Sequence, residues 1–220
     1  MGGAGTELGV AGATRAQTAQ ALFGGPGGAV RVLGVACLVV AAAWRGPVDA
    51  ALFSLVVAGL VVPVAAGAPR ALDAAYGIGL VVAAWCGALD LYQAVGWLDV
   101  VMHVTVTGLV AAVTHLLLAR RTGAVVDPAR TTGGRERAGA VVVTVVLGLA
   151  LSVLWEIGEY LGNAYVDDTI FVAYADTIGD LVAGGAGSLV AGLWLTAGHR
   201  TPVPHGPQRG DHWSVGGRES

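Results

Sequence analysis

The chain alternates between long apolar runs and short polar breaks, and the runs set its architecture. Six segments are nearly free of charge inside: Gly27–Trp44, Asp49–Ala66, Ala71–Leu91, Leu98–Ala119, Gly139–Tyr160 and Asp176–Ala197. A helix crosses the about 30 Å hydrocarbon core of a bilayer in roughly 20 residues, so each segment is long enough, or nearly so, to span it. The pattern predicts an all-α integral membrane protein with six transmembrane helices. Arg31 falls inside the first run and is expected to snorkel toward the interface. Pro63 is expected to bend the second span near its end, with the freed backbone groups satisfied locally. The flanking segments, 1–26 and 199–220, are rich in glycine or proline and read as disordered. That leaves a transmembrane domain over 27–198.

Composition agrees with the pattern. Charged residues make up 12% of the 220 and hydrophobic ones 55%, against about 25% charged in soluble domains. The partner this implies is the lipid bilayer; no nucleic-acid partner is expected. Cys37 and Cys86 sit inside apolar runs and read as small buried hydrophobes, neither a disulfide nor a metal site. The N-terminus lacks the charged start and compact apolar core of a signal peptide.

Charge gives the orientation. All basic residues are arginine, and Arg120, Arg121, Arg130, Arg135 and Arg137 crowd the connection between spans four and five. Arg15, Arg31, Arg70, Arg200, Arg209 and Arg218 fall on the same side of a six-span chain, and Arg45 alone falls on the other. By the positive-inside rule both termini are cytoplasmic.

The acids then collect at the outer face. Asp99 and His103 open span four in WLDVVMH, Glu156 and Glu159 close span five in LWEIGEYLG, and Asp176 and Asp180 open span six in YADTIGDL. At 100° per residue, Asp99, His103, Thr107 and Thr114 share one face. So do Ser152, Glu156, Glu159 and Asn163 on span five, and Asp176, Asp180, Ala183 and Gly187 on span six. With a rise of about 1.5 Å per residue, Glu156 lies about 25 Å along its span, level with the other acids. Asp99 and Asp176 can be read as helix N-caps, favoured by free backbone donors and the dipole. The glutamates sit at a helix C-terminus, where the dipole opposes them.

Five carboxylates in one layer need protons, water or metal. A hydrogen-bonded structural network is the plain alternative. The other is a divalent cation held by His103, Glu156, Glu159 and Asp180, with Asp99 and Asp176 completing the shell. Hard oxygens plus one imidazole suit Mg, Mn, Ca or Zn. Glu156 and Glu159 are the candidate catalytic bases. Asp90 and Gln93 could join the site, Asp167 and Asp168 read as loop charges, and His115 reads as a packing histidine. The histidines of the tail, His199, His205 and His212, read as solvated. Gly184, Ser188 and Gly192 form a small-residue row suited to close helix packing within the chain.

WLDVVMH, LWEIGEYLG and YADTIGDLVAGGAG resemble, in order, three motifs of the YjdF-like bacterial inner-membrane proteins: Asp–x–x–x–His, Glu–x–x–Glu with an aromatic, and Asp–x–x–x–Asp before a small-residue helix. Tyr160 stands where Trp is expected. The pattern is similar, more distantly, to VanZ-like envelope proteins, whose second motif usually has one Glu and a Gln. The resemblance covers roughly Leu98 to Gly192 and implies a multi-pass protein of the inner membrane of a bacterium. From the VanZ side it adds an envelope role without a reaction. Three functions stay open: metal-dependent action on an envelope or lipid-linked substrate, proton- or cation-coupled transport, and a non-catalytic membrane scaffold. Whether the protein is an enzyme and whether it forms homo-oligomers are left open.

Overall fold

The computed structural model describes residues 18–197, which contain helices and no strand. Six helices are long and apolar enough to cross a membrane: α1 (Gly25–Trp44), α2 (Pro47–Ala65), α3 (Arg70–Ala88), α4 (Gly96–Thr122), α5 (Gly134–Tyr165) and α6 (Tyr174–Ala197). All six expected spans are present. The largest difference is in α5, which runs five residues further at each end. At about 1.5 Å per residue its 32 residues exceed the bilayer core. The lipid boundary limits where a helix must be apolar, not where its hydrogen bonds stop, and α5 contains no proline to end it.

The helices form two groups of three. In the first, α1 packs on α2 and α3 around Val30, Cys37, Phe53, Val56, Val81 and Ala84. The Phe53 and Trp85 rings lie 4.9 Å apart, and Trp85 Nε1 donates to Cys37 Sγ at 3.3 Å. Both cysteines are free and buried, as expected. In the second group, α6 lies against α5 and α4. A cluster that includes Leu72, Tyr76, Val113, Leu116 and Leu195 joins the groups toward the arginine-rich end.

Small residues allow α6 to touch its neighbours through backbone. A Cβ on Gly187 would overlap the Val104 carbonyl of α4, and one on Gly108 would lie 2.7 Å from Gly187 O. Likewise a Cβ on Gly148 of α5 would overlap Ser188, and one on Gly192 would come 3.1 Å from Val141 Cα. The row Gly184, Ser188, Gly192 therefore packs within the chain. At the Gly187 crossing, α4 widens into a π-turn over His103–Thr107. Such turns are single-turn insertions that re-aim side chains and concentrate at functional sites.

Two expectations for the first group are corrected. Arg31 does not snorkel: it is buried, pairs with Asp73 at 2.5 Å, and donates to Leu60 O and Leu22 O at 2.9 and 3.0 Å. An anion and two unsatisfied carbonyls within reach hold it better than a stretch to the interface would. The bend before Pro63 is real, with helical pieces Pro47–Gly59 and Val62–Ala65. At that break the Leu60 carbonyl is satisfied by Arg31 of another helix, not locally. The expected disordered ends fall mostly on residues 1–17 and 198–220, outside the described residues, as do His199, His205 and His212. Residues 18–23 are helical instead.

Arginine side chains close the other helix ends. Arg120 donates to Ala66 O and Gly67 O, and Arg121 to Ala65 O at 2.7 Å, so the end of α4 caps the C-terminus of α2. Cations there also meet the negative pole of the α2 dipole. Arg120 pairs with Asp127 at 3.1 Å. Burial alone would push the Asp127 carboxyl up, but the Ala129 N–H, Arg120 and Arg130 outweigh it and hold the group below its ordinary range. His115 is the packing histidine expected: fully buried, with Thr144 Oγ1 at 2.8 Å and Val126 O at 3.1 Å. At the opposite, acidic end, Trp44, Trp97, Tyr165 and Tyr174 are all exposed, the arrangement of an interfacial aromatic belt.

Candidate metal centre

Asp99 is the fourth residue of α4, and His103 follows one turn later at the start of the π-turn. Asp180 lies in the second turn of α6 and faces them because Gly187, two turns on, lets the helices touch. His103 Nε2 lies 3.5 Å from Asp99 Oδ1 and 3.7 Å from Asp180 Oδ1. One ligand atom from each of the three falls within 4.8 Å of the other two. The Asp99 and Asp180 carboxyls also lie within close electrostatic reach of each other. Two carboxyls so placed repel unless a proton or a cation is shared between them.

No arginine answers that charge. Arg45 is the sole arginine at this end among the described residues, and it pairs with Asp49 at 2.8 Å. Asp180 is 4% exposed, so bulk water screens it little. Asp99 and Asp176 are not N-caps, contrary to one expectation. They lie inside the first turns of α4 and α6, and Val95, which precedes α4, makes no side-chain cap. The dipole still favours a carboxylate there, so the first turns keep both acids at low cost.

The structure thus brings Asp99, His103 and Asp180 together and sets the other three sequence candidates around them. Glu156 lies beside Thr177 and within electrostatic reach of His103, Asp176 and Asp99. Its Oε1 is buried with no hydrogen-bond partner. Glu159 lies beside Trp155, one turn back on α5, and feels Glu156, Asp180 and Asp99. Asp176 feels Asp99 and His103 from the start of α6. Asp90 and Gln93 are exposed and do not join; Asp167 accepts from Thr169 in the α5–α6 loop, as a loop charge should.

One neighbour was missed. Tyr92, in the short helical turn Leu91–Ala94, donates its hydroxyl to Ala83 O at 3.0 Å. Burial, with the nearby Cys86, Asp99, Glu159 and Asp180, pushes its phenol above the ordinary value, so the hydroxyl remains a donor. Tyr92 stands between α3 and the acids and walls the site from the first group. Its only sequence signal was an aromatic in the loop that enters span four.

A family model described as "Predicted membrane protein (DUF2238)" matches residues 29–201. The chain belongs to this family. The match takes in nearly all of the six-helix domain and every site candidate. No curated protein and no solved structure matches the chain. The YjdF-like motifs fit this DUF2238 family, whereas the match lends nothing to the more distant VanZ-like likeness.

Proposed function

We propose that this DUF2238 protein holds a divalent cation between Asp99, His103 and Asp180 and uses it on an envelope or lipid-linked substrate at the outer leaflet. One observation carries the reading: three ligand atoms from two helices lie within 4.8 Å of one another, and among the described residues no arginine pairs with them. Two carboxylates and an imidazole suit Mg, Mn, Ca or Zn. Three protein ligands would leave room on the ion for water and substrate, as in catalytic sites. The ion would activate bound water, and Glu156 or Glu159 would take its proton. The arginine distribution supports cytoplasmic termini and an outward acidic layer, and the YjdF-like resemblance supports residence in the inner membrane of a bacterium.

Thermal unfolding in detergent with each cation added to chelated protein tests this. A saturable rise in Tm is expected for at least one of Mg, Mn, Ca and Zn, and it should vanish in Asp180→Asn. No rise with any of the four would overturn the reading.

A proton- or cation-coupled transporter is the second reading. It is favoured by polar residues that continue along the same interface: Thr107, Ser152, Ser188, Thr144 and His115. Against it, the Ser188 and Thr144 hydroxyls donate to their own helices, and the Gly148–Ser188 contact is closed. A non-catalytic scaffold needs no cation and would leave the acids sharing protons.

A further inference from the structure

One turn deeper than the candidate ligands, three helices bring a second set of groups together. Ser152 lies one turn inward from Glu156 on α5, Gly184 one turn inward from Asp180 on α6, and Thr107 one turn inward from His103 on α4. A Cβ placed on Gly184 would meet Ser152 Oγ at 3.0 Å, the Thr107 methyl at 3.1 Å and Thr107 Oγ1 at 3.3 Å, so the two hydroxyls and that methyl border the gap that the glycine leaves.

Ser152 is 3% exposed and its Oγ has no hydrogen-bond partner. Among the described residues it is the one buried serine or threonine hydroxyl without a partner: Thr131 donates to Pro128 O, and Thr144, Ser188 and Thr196 donate to the carbonyl four residues back. Ser152 has the same carbonyl available and does not use it. On the same face, Glu156 Oε1 is also buried and unpartnered. Buried polar atoms are seldom left so, because each costs its full desolvation.

We propose that Ser152, Thr107 and Glu156 hold a buried water beneath the cation, and that this water marks Glu156 rather than Glu159 as the proton acceptor of the site. The hydrogen-bond count closes. The water accepts from the Ser152 hydroxyl and donates to Glu156 Oε1 and Thr107 Oγ1, the three bonds that a buried water commonly makes. No Glu159 oxygen is likewise buried without a partner. The role given to Glu156 rests on the metal reading above; the water itself does not.

Ser152→Ala decides the matter by sign. Deleting an orphan hydroxyl relieves a cost and raises Tm, whereas deleting one that holds water strands the water and Glu156 Oε1 and lowers Tm. Infrared spectra in ordinary and 18O water supply the direct readout. Wild type should show a buried-water O–H stretch that shifts with the isotope, and Ser152→Ala should lack it. Ser152→Cys, which keeps the volume but donates weakly, should shift that band, and it serves if the alanine variant does not fold. An unchanged or raised Tm in Ser152→Ala, or an isotope-sensitive band that survives in it, overturns the proposal. Metal content of the same samples separates the two readings. Wild type with the band but no metal refutes the metal reading alone, and wild type with metal but no band refutes the water alone.

Discussion

Gly187→Ala is the substitution on which the geometry makes the sharpest demand. Its new methyl would overlap the Val104 carbonyl oxygen and lie 2.7 Å from the carbonyl carbon. Ordinary contact begins at 3.4 Å, so the carbonyl carbon alone would require α4 and α6 to part by about 0.7 Å, and the nearer oxygen requires more. The obstruction is backbone, and no rotamer relieves it. Overpacking of this kind costs about 1–3 kcal/mol, and a backbone clash belongs at the upper end. Replacing a helical glycine by alanine returns about 1 kcal/mol. The net loss is about 2 kcal/mol, or a Tm lower by roughly 4–8 °C for a chain of this size. Gly179→Ala is the control: a Cβ there meets nothing within 4 Å, so it should hold or raise Tm. The parting also draws Asp180 from His103, so Gly187→Ala should weaken any cation-induced rise in Tm while Gly179→Ala preserves it. Thermal unfolding of the purified variants in one detergent is the assay. A Gly187→Ala protein as stable as Gly179→Ala would refute the α4–α6 crossing.

Asp73→Ala strands the buried Arg31 charge and should cost about 3–5 kcal/mol in unfolding experiments, more than the double variant Arg31→Leu/Asp73→Leu, which removes both charges. Asp127 gives a pH signature at the arginine-rich end. Its folded pKa lies below the ordinary 3.8, so its stabilisation is present above that value and is lost as pH falls through the lower folded one. Wild type should therefore lose more Tm than Asp127→Asn between pH 5 and about pH 3, and equal losses would contradict the pairing with Arg120. Reporter fusions at Arg130 should read as cytoplasmic, and an external signal there would invert the proposed topology.

Much of this architecture was legible because the bilayer imposes one simple rule on sequence. Apolar length marked all six helices, and the faces of α5 and α6 followed from helical periodicity, with Ser152 and Asp180 both buried where the pattern put them. What was hidden depends on contacts between distant segments. The fate of Arg31 turned on Asp73 and on the Leu60 carbonyl at the break in α2, neither of which is close to it in sequence. The π-turn over His103–Thr107 left no mark in composition, because the closeness of Gly187 and Val104 across two helices is what accompanies it. Asp99 and Asp176 look like caps in a linear pattern, yet their helices begin a few residues earlier, at Gly96 and Tyr174. Tyr92 could be valued only once α3 and the acids were seen on either side of it. Of six candidate ligands, only Asp99, His103 and Asp180 come within reach of one ion.

Elemental analysis of protein purified without chelator, wild type beside Asp180→Asn and His103→Ala, tests the central claim most directly. Close to one divalent ion per wild-type chain is expected, with a large loss in both variants while each remains monodisperse. Equal metal content in the three proteins, or none in the wild type, would contradict the cation site and leave the Asp99–Asp180 pair to share a proton.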